Sequence, residues 1–441
     1  MLQRDRLSRI YQIAWPLVLA ALATNLMTVI DTLMVGQLGD AALAGVGIGG
    51  QIFFLMLSLV LGVGAGVQTL VAFRVGEGRL SETGKLLNLG IVVALAVGAI
   101  VLSLAYVLSP ILFGLMVGDP LVVSQGVDYL VMRLPSILFI GINIAFRSYW
   151  VGVSQAQWSM VSIVILSVAN VIFNYILIFG HLGAPAMGVA GAGLGSSAAT
   201  AVALLVNVLL ALRLVRANGF LTGLPSRESA HKLAAIAVPD SLRQALFTVG
   251  VVLMYVLIGQ LGTQEIAAFH VVISICLVAY MPHIGIGGAA TTLVGEALGR
   301  RDMADANRWG WQSGGAGLGL LGLMSLGVAW FAHELLSFFL VNPETRALAV
   351  LPLQLAVFGH ALDGFARVIG SALVGAGASK AAMQLTVFPQ WLMLLPGLLL
   401  VVVLDGSLAE AMVVFLIFTL LSALLHAYVW QRGRWVESLS F

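Results

Sequence analysis

Two aspartates lie inside stretches long and apolar enough to cross a bilayer. Asp31 sits in NLMTVIDTLMVG and Asp363 in FGHALDGFARVIGSALVG. A charged side chain at the bilayer centre costs about 2.5–3.5 kcal/mol on insertion scales, so an acid there calls for a task or a partner. The chemistry open to it is the binding and release of a proton or a metal cation. Asn25, Thr28 and Thr32 lie on or near the face of Asp31 by i+3 and i+4 spacing and make a polar stripe on an apolar helix. The plainer reading is an Asp near a helix end, because Gly36 follows closely. At Asp363, His360 stands at i−3 and Arg367 at i+4, so the three share a face. That group is either chemically active or a local ion pair that eases insertion.

Other polar residues in the apolar stretches fit around these two. Asn170 and Asn174 are one turn apart in SVANVIFNYILIFG and can join Asp31 if their helices are neighbours. A plain interhelical hydrogen bond is the equal alternative for either. Asn143 and Arg147 repeat the same spacing. Arg133, Arg147 and Arg243 are expected to snorkel or to pair. His270 and His283 form no metal-ligand pattern. GVGAG at 62–66 lacks the lysine and the strand of a phosphate loop, and reads as close helix packing. No G-x-S-x-G, H-E-x-x-H or C-x-x-C occurs, which argues against an enzyme. The single Cys276 excludes an internal disulfide or a cysteine-rich metal site.

The elements that position these residues follow from composition. Only 9% of the 441 residues are charged and 60% are hydrophobic, against roughly 25% charged in soluble domains. The chain is built for hydrocarbon, and no basic run suggests nucleic acid. The charged stretch 1–9 is followed by an apolar run from Ile10 to Val35. That run exceeds the ~7–15 residues of a signal-peptide core, so it reads as a retained first span. Spans of about 20 residues are expected near 10–35, 47–72, 87–110, 127–151, 159–180 and 189–213, then near 234–259, 267–295, 309–331, 348–374, 382–404 and 408–430. Lys and Arg gather before the first span, after the second, between the sixth and seventh, between the eighth and ninth, and after the last. Arg346 is the clear exception. The pattern places both termini in the cytoplasm.

An internal repeat organises the whole. VGQLG at 35–39 returns as IGQLG at 258–262, an offset of 259 − 36 = 223. At that offset Ala14 and Pro16 match Ala237 and Pro239, Gly62 and Gly64 match Gly285 and Gly287, and Gly152 matches Gly375. The expected fold is therefore all-α and integral to the membrane. Its two six-helix lobes, 1–216 and 234–441 with a cytoplasmic tail, are joined by a linker at 217–233. An even helix count per lobe implies a pseudo-two-fold along the membrane normal, with a site near the midplane.

DTLMVGQLG at 31–39, VAFRVGEGRLSETGK at 71–85 and LGTQEIAAFHVVISICLVAYMPHIGIGGAATTLVGEALG at 261–299 resemble the signatures of the multidrug and toxic compound extrusion (MATE) transporters. NYILIFG at 174–180, GVAGAG at 188–193 and VIGSALVGAGASK at 368–380 extend the resemblance over nearly the whole chain. It implies a bacterial inner-membrane antiporter working by alternating access. Amphipathic organic cations or other drugs would leave in exchange for protons or sodium ions. It also implies coupling roles for Asp31, Asn170, Asn174 and Asp363, with a sodium ion or a proton at Asp31 and Asn174. Asn25, Thr28, Asn143, His360 and Arg367 are the expected cleft residues. No cofactor is expected beyond the coupling ion, and the protein is expected to be a monomer among membrane lipids. The chain departs from relatives at Asn174, where one branch has an acid, at Phe247, where NorM-type members have a glutamate, and at His270, where glutamine is usual. The alternative is a flippase for lipid-linked saccharides of the same superfamily, but few basic residues lie in the spans. A membrane enzyme would need a catalytic constellation, and a receptor or scaffold would not need a repeat with an acid in each half.

Overall fold

In hydrocarbon the backbone must satisfy its own hydrogen bonds, which leaves helices as the spanning element for a chain of this pattern. The computed structural model describes residues 4–116, 118–404, 406–433 and 435, and among these no strand occurs. The start of the 1–9 stretch, Arg434 and the tail beyond Trp435 lie outside the described residues. The helices of the first half are α1 (Arg4–Gly36), α2 (Asp40–Gly76), α3 (Thr83–Met116), α4 (Pro120–Arg133), α5 (Ser136–Gly152), α6 (Ala156–Phe179) and α7 (Gly188–Leu214). Those of the second are α8 (Arg227–Gly259), α9 (Thr263–Tyr280), α10 (Pro282–Gly299), α11 (Met303–Trp330), α12 (Ala332–Ser337), α13 (Pro343–Gly375), α14 (Ser379–Leu398) and α15 (Leu408–Arg432).

Eleven helices are long and apolar enough to cross a membrane, and α4 with α5 makes a twelfth span bent by 50°. The bend falls at Leu134-Pro135, where proline cannot donate a backbone hydrogen bond and disfavours helix in the residue before it. The expected eighth span, 267–295, is likewise interrupted. Tyr280 ends α9 and Pro282 opens α10. The short α12 is absent from the sequence reading, being too brief to leave a hydropathy signal.

The chain forms two compact units, Leu19–Leu242 and Met1–Val18 with Arg243–Phe441. They differ from the linear halves 1–216 and 234–441 in two segments. The start of α1 packs with the second half, and the start of α8 packs with the first. Each of these helices carries an internal proline, Pro16 or Pro239, and each passes from one unit to the other within a turn of it. The prolines are themselves a repeat pair (239 − 16 = 223).

Close packing explains the exchange. A Cβ at Gly62 would collide with the Ala237 carbonyl and with Ser241, and one at Gly285 would collide with the Ala14 carbonyl and Val18. These contacts are related by the same repeat offset. Ser241 Oγ also donates to the Leu59 carbonyl at 2.7 Å. In the other unit, Arg9 donates to the buried Glu296 at 2.6 Å. Arg6 pairs with Asp305 and lies 4.4 Å over the Trp309 ring. Trp309 Nε1 and Arg300 also donate to Asp305, at 3.0 and 2.9 Å.

The glycine contacts yield a stability prediction. Gly62→Val and Gly285→Val each force two backbones apart, at a cost of about 1–3 kcal/mol. Gly47→Ala adds a methyl that meets nothing within 4 Å, and should leave stability equal or slightly higher. Thermal unfolding of the purified variants in detergent should lower the midpoint for the first two only.

Candidate functional site

The first polar cluster joins α1, α6 and α7. Asn174 Nδ2 donates to Asp31 Oδ1 at 2.8 Å. Asn170, one turn earlier on α6, seats its amide between Asp31 and Ser196 of α7. With its nitrogen toward the carboxylate, Asn170 donates to Asp31 Oδ1 at 2.7 Å and Oδ2 at 3.1 Å, and its oxygen accepts from Ser196 Oγ at 2.9 Å. Turned over, it donates to Ser196 Oγ at 2.9 Å and accepts from Asn174 Nδ2 at 3.3 Å. That second seating presents an acceptor to Asp31, which suits a protonated carboxyl or a bound cation. Both asparagines are 1% exposed, and Asn174 Oδ1 has no hydrogen-bond partner among the described residues.

Small residues make this geometry available. A Cβ at Gly195 would strike Asn174 Oδ1, and one at Gly191 would strike the Leu177 carbonyl. The Gly191-x-x-x-Gly195 spacing thus lets α7 lie directly against α6. On α1, Thr24, Asn25, Thr28 and Thr32 each donate a side-chain hydrogen bond to the carbonyl one turn back, at 2.8–3.0 Å. Such bonds tend to bend helices and weaken them slightly. Asn25 and Thr28, expected in a cleft with Asp31, are instead bonded within α1.

Asp31 has no cation within ion-pair distance among the described residues. Arg133 acts on it through space while lying 4.8 Å over the Phe53 ring. Asp363 is held differently. Arg367 Nε donates to Asp363 Oδ2 at 2.8 Å, and the Tyr280 hydroxyl donates to the same oxygen at 2.6 Å. The Arg367 guanidinium also lies 4.0 Å over the Phe247 ring. His283 stacks on Tyr280 at 3.7 Å.

His360, expected to work with Asp363, makes no hydrogen bond among the described residues through either nitrogen. It borders a cavity of about 10 Å³ with Cys276, Tyr280 and Ser325, room for about one water. Asn143 is no cleft residue either. It donates to the Thr200 carbonyl at 3.0 Å and accepts from Asn207 at 2.9 Å. Asn207 also bonds Ser162 and Trp150, closing a buried polar knot between α5, α6 and α7.

Sequence reasoning missed Ser196, Asn207 and Tyr280. Each acts across a helix interface, and single-helix periodicity carries no sign of that. The one usable signal is the Tyr280-Met281-Pro282 break.

The Asp363 ion pair yields a prediction. Arg367→Gln alone strands a buried carboxylate and should cost about 3 kcal/mol. Asp363→Asn combined with Arg367→Gln should recover most of that loss in thermal unfolding. A double variant no more stable than the single would show that the pair does not set the cost.

A polytopic helical membrane protein with two repeats, and an acid buried in each, is the class that fold and clusters define. The sequence profile of the MatE family matches the chain twice, over residues 16–176 and 239–399. The two matches are displaced by 239 − 16 = 223 residues, the offset of the internal repeat. The chain belongs to this family, the multidrug and toxic compound extrusion proteins. It is 28% identical to the probable multidrug resistance protein NorM of Mesorhizobium japonicum over 425 residues, 90% of this chain and 88% of that one. It is 29% identical to the multidrug resistance protein NorM of Burkholderia vietnamiensis over 402 residues, 86% and 84% of the two chains. The crystal structure of a mutant of the Vibrio cholerae MATE transporter VcmN shares the fold, with TM-score 0.89 at 19% identity over 98% and 97% of the two chains.

Proposed function

We propose that this chain is a secondary active multidrug exporter of the bacterial cytoplasmic membrane, with both termini in the cytoplasm. In this reading amphipathic organic cations or other drugs leave the cell by alternating access as a proton or a sodium ion enters. The observation that carries it is the Asp31 cluster, a carboxylate held by two carboxamides and, among the described residues, by no counter-cation.

Antiport requires that drug and coupling ion favour different states of one protein. Asp31 is suited to that task because its ligand shell can change without stranding a charge. As a carboxylate it takes two amide donors. With a proton or a sodium ion bound, the turned Asn170 offers its oxygen instead. A sodium ion there would find only hard oxygen donors, namely the Asp31 carboxylate, the unpartnered Asn174 Oδ1 and the Asn170 oxygen. Proton and sodium both fit this donor set.

Asp363 takes the second part in this reading. Arg367 already fills the place a coupling cation would take, so Asp363 can bind one only when Arg367 releases it. The drug names of the NorM relatives support the substrate class. The same relatives favour transport over catalysis.

The test is export of a cationic dye from a pump-deficient host. Asp31→Asn should reduce energy-dependent export to background at unchanged expression. The double change Asp363→Asn with Arg367→Gln should retain export within a few-fold. Undiminished export by a well-expressed Asp31→Asn variant would sink the assignment. Loss of export by a folded double variant would move the coupling to Asp363.

A further inference from the structure

Arg147 lies well inside a spanning helix and has no ion pair, hydrogen bond or aromatic partner among the described residues. Arg367 pairs with Asp363, and Arg133 lies over Phe53. Arg147 was expected to pair or to reach the interface, and its position on α5 argues against both. Asn143 and Trp150 turn toward α7, where they bond Thr200 and Asn207. Ile144 and Ser148 turn toward α2, where they abut Gly64, and Ala145 turns toward Gly90 of α3. At 100° per residue, Arg147 falls between the α7 face and the α2 face. Its side chain is nonetheless exposed. A charged group flanked by protein on both sides, yet open, faces an internal path and not lipid.

The fold does not need a cation here. The repeat counterpart of Arg147 is Gly370 (147 + 223), where a Cβ would approach His426 at 3.4 Å. The second half therefore fills the same place without charge. An uncompensated guanidinium in a membrane span is costly and marks a functional site, and its fork of donors matches a carboxylate. Asp31, the other polar centre of this unit, is an acid near the far end of α1.

We propose that Arg147 is an anion anchor in the transport path, so that the exported molecules include amphiphiles bearing a carboxylate, not cations alone. The inference rests on the exporter reading and refines its substrate class. The carboxylate belongs to the transported molecule in this proposal. A lipid phosphate is the competing source of the same chemistry.

Two dyes with one ring system separate these cases. Rhodamine 110 carries a free carboxylate, and rhodamine 123 is its methyl ester. Export of each is measured for the wild type, Arg147→Gln and Arg147→Lys. Removing an unpaired charge strands nothing, so the variants should fold, which thermal unfolding checks. Arg147→Gln should raise the KM for rhodamine 110 at least about tenfold, the loss expected for a charge-assisted contact, and leave rhodamine 123 within about twofold. Arg147→Lys should fall nearer the wild type. Equal effects on both dyes would overturn the proposal and indicate a lipid-bound or structural arginine. So would an unaltered KM for rhodamine 110. A wild type that exports only rhodamine 123 would also overturn it while leaving the exporter reading intact. A wild type that exports neither dye and confers no drug resistance would remove that reading itself.

Discussion

A carboxylate in the hydrocarbon region has no water to rely on and must find its donors in the protein. Asp31 finds them in two side chains one turn apart on α6, and much of the first half is arranged to keep them there. Gly191 and Gly195 bring α7 against α6, which orients Asn174 and sets Ser196 beside Asn170. Ser196 in turn lets the Asn170 amide be satisfied in either orientation. α1, which delivers the acid, is the opposite kind of element. It contains Pro16, bonds its own carbonyls through four side chains and packs loosely on its neighbours. A fixed set of donors on a tight helix pair faces an acid on a compliant helix, which is the arrangement expected where occupancy of the acid must alter helix position.

The repeat shows which features belong to the scaffold and which to the chemistry. Gly64 abuts Ser148 as Gly287 abuts Ser371, and Gly152 meets Gln68 as Gly375 meets Thr291. These close approaches recur because two copies of one packing scheme need them. The charged groups do not recur. Asp31 corresponds to Met254, Asp363 to Ile140, and Arg147 to Gly370 at the same offset. The two halves share a frame and hold different polar contents.

The sequence was most informative where a signal repeats or is large. Spans about twenty residues long and a constant offset made the fold class legible. The i, i+4 spacing placed Asn170 with Asn174, and Asp363 with Arg367, because helical geometry alone decides that. It failed where two separate helices decide the outcome. Nothing in SVANVIFNYILIFG tells which partner Asn170 meets, and nothing around Asn143 reveals Asn207. Pro135 and Pro282 do mark the bent fourth and broken eighth spans, but hydropathy averages run straight across them. Exchange of the first segments of α1 and α8 was hidden as well, since Gly62 and Gly285 read as generic small residues until their partners are known.

Thermodynamic linkage offers the most direct measurement. If Asp31 binds either an ion or a state that favours drug, then ion and drug must oppose each other reciprocally at equilibrium. Binding of rhodamine 123 to the purified protein in detergent should weaken as protons or sodium ions are added. With Asp31→Asn that dependence should vanish while the dye still binds. An Asp31→Asn protein whose dye affinity falls with added protons or sodium as steeply as the wild type would contradict the account.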